Sequence, residues 1–457
     1  MSTRKLYAIA MIGAVALLGW QTTKGQGAKP KDEMMELYGL FVDAVEQVEE
    51  NYVRPVSRKE LLESALRGML SDLDPHSSYI NTSQWKDFRK TIEGRFGGIG
   101  ISVGMDPELN RLQVMTPMVG TPAYAAGVMA GDVILDIDGK TTEGLDPERA
   151  VEVLQGRPGT EVKLTVLHET NGKTETLTMN RAIIEIPSVL GDSRKPDDTW
   201  DFMIDKENKI GYIRIAQFVQ NTTDEVKAAL TDLTGAGMKG LILDLRDDPG
   251  GMLSSAVEVS DLFLEEGQIV STKGRSVPPR SYEAEKVGTF TGFPIVVLVN
   301  QNSASASEIV SAALQDQNRA VVVGQRSFGK GSVQTLLPLS DDTALRLTTA
   351  RYYTPSGRSV QENGIEPDII VPQLSDPLAA DASRPRLREA DLRRHLINEV
   401  KATDKLIEAD DKPDPRFADT VETLKKKGIT DYQLSYAVKL IERLVVPAAA
   451  PTVTAAR

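Results

Sequence analysis

From residue 209 onward, short apolar runs rich in Val and Ile alternate with stretches of helical period, and this alternation constrains the fold more than any other feature. KIGYIRIAQF, GLILDLR, QIVST, FPIVVLVN and AVVVG read as strands bounded by Gly, Pro or Asn. Residues 223–233, 252–264 and 305–317 carry helical periodicity between them. Strands joined through helices return parallel by right-handed crossovers, so a largely parallel sheet covered by helices is expected. SVQTLLPL and TALRLTTARYY add further strands.

Upstream, the pattern changes twice. Residues 31–93 are helical, with Leu37, Leu40, Phe41, Ala44, Val45 and Val48 spaced three and four apart on one face. Within them LDPHSSY carries Asp-Pro turn signals, and His76 reads as part of a capped turn. Residues 96–182 follow as short strands with many glycines and two helical pieces, 122–127 and 146–154, the second capped by Asp146. That is a compact α+β module, in which His168 reads as a surface strand residue. A polar linker at 191–199 leads to the alternating region, 200–372. Beyond it, 376–445 is charged and helical, with Leu434, Ala437, Val438 and Ile441 on one face and His395 on a solvated one. The tail, 446–457, is Ala-, Pro- and Thr-rich and reads as disordered.

With 457 residues the chain exceeds one ordinary core. The net charge of −12 argues against phosphate-backbone binding, so nucleic acid is not an expected partner. The absence of cysteine removes disulfides, thiolate metal sites and thiol nucleophiles. The three histidines, His76, His168 and His395, show no helical metal-ligand spacing, so no metal or organic cofactor is implied. At the N-terminus, Arg4 and Lys5 precede an apolar run, 6–20, and polar residues follow. Residues 1–24 therefore read as a signal peptide or an uncleaved membrane anchor, and the protein as exported.

Chemistry concentrates in three loops of the alternating region. In VNQNSASASEIVSAALQD a buried strand ends, a polar turn follows, and a helix begins at Ser305. Ser305 and Glu308 fit a capping box, which explains both residues structurally. The same geometry sets the hydroxyl beside exposed N–H groups and the positive end of a helix dipole, which suits a nucleophile. A serine nucleophile needs a base, and no histidine lies in this region. SFGKGSVQ supplies Lys330 between two glycines, with no carboxylate neighbour in sequence to hold it protonated. Strand alternation puts Lys330, Ser332 and Gln334 on one face, where Gln334 can orient the amine. In LILDLRDDPGG, Gly250 and Gly251 permit the close backbone approach that an oxyanion hole requires. Each loop alone also reads as an ordinary strand-to-helix or glycine turn.

Together these segments resemble the carboxyl-terminal processing proteases, the tail-specific endopeptidases of peptidase family S41, over residues 37–372. The resemblance rests on LDPHSSY, FGGIGI, PAYAAGVMAGDVILDIDG, LILDLRDDPGG, VNQNSASASE, SFGKGSVQ and YYTPSGRSVQENGIEPDIIV. It implies an α/β crotonase-like (ClpP/crotonase) protease core with an inserted α+β PDZ domain and helical N- and C-terminal regions. It assigns the nucleophile to Ser305, the base to Lys330 and its orienting partner to Gln334. It gives the oxyanion hole to the backbone N–H groups of Ala306 and Gly251. Asp248 departs from the asparagine more usual in the family and is expected to add charge near the site with little effect. Gly98, Ile99, Gly100 and Ile101 stand where a PDZ domain binds a chain-terminal carboxylate. The implied partners are protein or peptide substrates with free apolar C-termini, with an adaptor protein and a homodimer as further candidates. The implied place is the periplasm. The rival reading is a non-catalytic, tail-binding scaffold or chaperone with a relic protease core; a ligand-binding crotonase-like protein is a third.

Overall fold

The computed structural model describes residues 31–106, 111–197, 199–340, 342–375, 387–399 and 419–445. The expected signal segment and C-terminal tail lie outside them. Among the described residues no helix is long and apolar enough to cross a membrane.

The chain divides into two units, 1–69 and 70–457. The first contains the helix Lys31–Asn51 and most of the helix Arg58–Ser71. On Lys31–Asn51 the expected apolar stripe is exposed at Leu37, Leu40, Phe41 and Val48.

The second unit is built on a seven-stranded sheet. Its strands Ile210–Ile215, Gly240–Asp244, Ile295–Val299, Val321–Gly324 and Ile369–Ile370 run parallel, as the alternation predicts. Side chains alternate across such a sheet, and both faces are covered. Ile213, Leu241, Leu243, Val297 and Val299 pack with Val226, Leu230, Val259, Ile309 and Val310 from three helices, Thr222–Gly235, Leu253–Asp261 and Ala306–Asp316. Ile242, Val296, Leu298 and Val323 turn the other way, onto Ala437 and Ile441 of the helix Tyr432–Val445. That C-terminal helix thus closes the core. At Asp431, just before it, Arg246 makes two hydrogen bonds of 2.9 and 2.7 Å, while its Nε bonds Asp244 at 2.9 Å.

A five-stranded antiparallel sheet adjoins this core, and nothing in the alternation announced it as a separate layer. Its long hairpin pairs Ser332–Ser340 with Thr343–Tyr353, and the strand Ser78–Ile80 from LDPHSSY adds to the second arm.

The described residues between 101 and 180 form a six-stranded antiparallel sheet with the helices Pro122–Ala125 and Pro147–Leu154. Ile99, Leu112, Val114, Ile134, Leu154, Val162 and Leu164 make its core. The strands Arg95–Gly98 and Ala182–Glu185 pair where the chain enters and leaves this module. Gly97 is required there, because a Cβ would lie 2.1 Å from the Gly156 carbonyl oxygen.

Two histidines differ from the sequence reading. His168 is buried rather than surface-lying, because Nδ1 pairs with the buried Asp132 carboxylate at 3.0 Å. His395 lies on no helix; its Nε2 meets Glu362 at 2.6 Å, and its Nδ1 the Leu392 carbonyl at 2.8 Å.

Candidate active site

The strand Ile295–Val299 is wholly buried and ends in a pinned turn. Ser303 accepts the Asn300 N–H at 2.9 Å and donates its hydroxyl to the Leu245 carbonyl at 2.8 Å. Two residues on, Ser305 takes φ 56° and ψ −109° as the cap of the helix Ala306–Asp316. A non-glycine residue held there costs roughly 1–3 kcal/mol, so surrounding contacts must impose it.

Glu308 supplies most of them. Its carboxylate is fully buried and accepts the Ser305 N–H at 2.7 Å, the backward half of the expected capping box. It also accepts the Ser327 hydroxyl at 2.6 Å, the Gly329 N–H at 2.7 Å and the Lys330 N–H at 3.0 Å. One carboxylate therefore ties the serine turn to the lysine loop, and burial pushes it up to about 7. Tyr352, also buried, donates to the Lys330 carbonyl and lies 3.2 Å from the Ser305 carbonyl. The sequence reading gave Glu308 only the capping role and passed over Tyr352. Their further partners are distant in sequence, and no local pattern marks them.

Ser305 and Lys330 line one cavity of about 490 Å³, together with Gly250, Gly251, Ala306, Gln334 and Tyr352. Lys330 lies in the loop before the strand Ser332–Ser340. Among the described residues its amine has no hydrogen-bond or ion-pair partner. Burial holds the amine below the usual lysine range, and the nearby Arg346 charge adds to that; Glu389, Glu308 and Asp74 oppose it. A lysine so placed gives up its proton more readily than one in water, which suits a proton acceptor.

The glycine turn abuts the serine. A Cβ on Gly250 would come within 2.8 Å of the Ala306 nitrogen and of Ser305 Cβ, and one on Gly251 within 1.9 Å of the Phe218 carbonyl oxygen. Among the described residues the N–H groups of Gly251 and Ala306 have no backbone acceptor. Two donors beside a hydroxyl can hold a developing oxyanion.

Asp248 stabilises this turn: Oδ1 accepts the Gly250 N–H at 2.8 Å, and its carbonyl accepts the Ala304 N–H and the Ser307 hydroxyl at 3.0 Å each. The side chain is fully buried and burial pushes it up to about 8. Near neutral pH it is therefore mostly protonated, so it does not add the charge expected from the sequence.

Gln334 lines the cavity, but its amide nitrogen bonds Ser332 at 2.9 Å and Thr348 at 3.3 Å rather than Lys330. Lys330, Ser332 and Gln334 nonetheless line the same cavity, as the alternation expects, while the pairing with the second arm shifts register between Val333 and Gln334.

The loop of Gly98, Ile99, Gly100 and Ile101 lies far from these residues in sequence and has its own geometry. The Ile99 and Gly100 carbonyls accept N–H groups of Ala123 and Met118, at 2.9 Å each. Among the described residues their own N–H groups have no backbone acceptor. The strand Ile101–Asp106 is the edge of its sheet. An open edge beside free donors suits an extended peptide end.

A parallel sheet that presents a serine at a helix start, with a desolvated lysine lining the same cavity, suits a hydrolase. Residues 209–371 match peptidase family S41, residues 113–167 a PDZ domain, and residues 10–84 the N-terminal domain of the activating protease CtpB. The carboxy-terminal-processing protease of Bartonella bacilliformis is 40% identical over 90% of this chain and 89% of its own. The carboxyl-terminal-processing protease of a Synechocystis strain is 37% identical over 71% of this chain and 74% of its own. A solved photosystem II D1 C-terminal processing protease is 30% identical, with a TM-score of 0.40, over 73% of this chain and 92% of that one. The chain belongs to peptidase family S41, the carboxy-terminal-processing proteases, and is a protease acting on protein or peptide substrates.

Proposed function

We propose that this protein is a serine endopeptidase in which Ser305 and Lys330 form the catalytic dyad of a crotonase-like core. Lys330, neutral, takes the Ser305 proton as the hydroxyl oxygen attacks the peptide carbonyl. The N–H groups of Ala306 and Gly251 hold the oxyanion. Lys330 then gives the proton to the leaving amine as the C–N bond breaks, leaving an acyl-enzyme ester. Water hydrolyses the ester with Lys330 again as base. Gln334 orders the wall of the cavity next to the amine. The observation that carries this reading is the shared cavity, lined by the serine and by a lysine that is lowered by burial and has no amine partner among the described residues.

Substrates arrive by their apolar C-terminal tails, whose carboxylate meets the N–H groups of the loop Gly98, Ile99, Gly100 and Ile101 while the tail extends the edge strand. The segment 1–24 directs export to the periplasm, as a cleaved signal or an anchor. The exposed stripe on Lys31–Asn51 favours a homodimer, and an adaptor protein is a further partner.

Ser305→Ala, Lys330→Ala and the double variant are expected to lose cleavage of an unfolded test protein to one common floor, because the pair acts as a unit. Substantial turnover by Lys330→Ala would sink the dyad.

A further inference from the structure

LDPHSSY and the charged segment after residue 386 have no part in the chemistry described so far, yet the fold brings both against the lysine loop. His76 Nε2 lies 2.9 Å from each oxygen of Glu389. Gln361 donates its amide to Glu389 Oε1 at 2.9 Å, and Gln361 Oε1 accepts the Gly331 N–H at 3.0 Å. The Glu389 N–H closes the ring on the Phe328 carbonyl at 3.2 Å. Glu389 and Gln361 are both fully buried. A Cβ on Gly331 would come within 2.5 Å of the Gln361 nitrogen, so the loop and this cluster are in direct backbone contact.

We propose that Glu389, held between His76 and Gln361, is a positioning residue for Lys330, fixing its loop through Gln361. The proposal rests on Lys330 being the base. Burying a carboxylate is expensive, and an apolar or amide side chain could fill the same space at lower cost, so a charge kept here calls for a use. Its use is visible at the amine. Burial and Arg346 both drive the Lys330 ammonium to release its proton, and among the carboxylates that resist this Glu389 acts most strongly, ahead of Glu308 and Asp74. A base is most effective when its proton affinity lies near the working pH, so too strong a depression would weaken it as an acceptor. Besides Lys330, the groups that face Glu389 are His76, the Tyr352 phenol and His395, which is paired with Glu362. Because Glu389 belongs to the segment beyond the matched protease region, the C-terminal extension would contribute directly to the tuning of the site.

The test is the pH dependence of kcat/KM for a peptide substrate, measured on the full chain for wild type, Glu389→Gln, Gln361→Ala and Lys330→Ala. Activity rises with pH as Lys330 becomes neutral. Removing the Glu389 charge lets the amine lose its proton earlier, so the acidic limb of Glu389→Gln is expected at lower pH than in wild type. Gln361→Ala, which strips the Gly331 N–H of its acceptor, is expected to lower kcat across the range with KM unchanged. A merely structural Glu389 would lower the rate at every pH and leave the limb in place; that result, with Lys330→Ala inactive, overturns the proposal while the dyad stands. An active Lys330→Ala overturns the dyad instead. Should Glu389→Gln fail to fold, Glu389→Asp keeps the charge on a shorter stem: the proposal expects the limb unmoved and kcat reduced, and a limb shifted to lower pH overturns it.

Discussion

At Asp248 a single carboxyl makes stability and the geometry of the glycine turn depend on the same proton. Its Oδ1 holds the Gly250 N–H, while Oδ2 is buried with no hydrogen-bond partner. Burial lifts its proton affinity from 3.8 to about 8, outweighing the Gly250 N–H, the Ser307 hydroxyl and the Arg214 charge, which pull it down. Between those values the unfolded carboxyl has released its proton and the folded one has kept it, so folding becomes less favourable as pH rises through the window. Asparagine preserves the acceptor and cannot ionise. Asp248→Asn is therefore expected to raise the melting temperature more at neutral pH than in mild acid. Equal shifts at both would show that the carboxyl is not protonated in the fold. Ser305 and Lys330, proposed as the dyad, were singled out at this scale because their motifs follow a family pattern in order and spacing, whereas each alone also reads as a helix cap or a glycine turn. The wider role of Glu308 was not, because Ser327, Gly329 and Lys330 reach it only after the lysine loop has folded over the serine turn.

Among elements, the C-terminal helix Tyr432–Val445 shows how an apolar stripe finds its use. Its periodicity was readable, but the face it covers was not, because a parallel strand buried on both sides gives no sign of which partner lies where. The contact is tight at Gly240, where a Cβ would lie 2.8 Å from Ile441 Cγ1 and from Val445 Cγ2. Gly240→Ala is expected to cost roughly 1–3 kcal/mol by overpacking, seen as a lower melting temperature. A melting temperature equal to wild type would mean that the helix does not dock as described. The hairpin strand Ser332–Ser340 teaches the converse. Its residues were assigned correctly to a strand and residues two apart do share a face at Ser332 and Gln334, yet the Gln334 amide bonds Ser332 and Thr348 rather than Lys330, a choice that periodicity does not reveal.

For the whole molecule, the proposed division of labour has the PDZ module read a chain end and the core cut the chain. A free acid offers the loop at Gly98, Ile99, Gly100 and Ile101 a charge that a C-terminal amide lacks. Losing a charge-assisted hydrogen bond costs roughly 1.5–3 kcal/mol, or about tenfold and more in affinity. Otherwise identical peptides, one a free acid and one an amide, are expected to differ by that order when titrated into the Ser305→Ala protein. Equal affinities would mean that this module does not recognise termini.

The amino-acid sequence by itself determined the alternating strands and helices, the family, and the two residues proposed for the dyad, because each depends on periodicity or on a contiguous motif. Only the tertiary structure decided what surrounds them. Asp248 became a buried acid with raised proton affinity, His168 and His395 became partners of carboxylates, and Glu389, in a stretch read only as charged and helical, is fully buried near Lys330. The physical reason is common to all four. Burial and the electrostatic field at a side chain are set by groups far away in sequence, and they act only once the chain has brought those groups within a few ångströms.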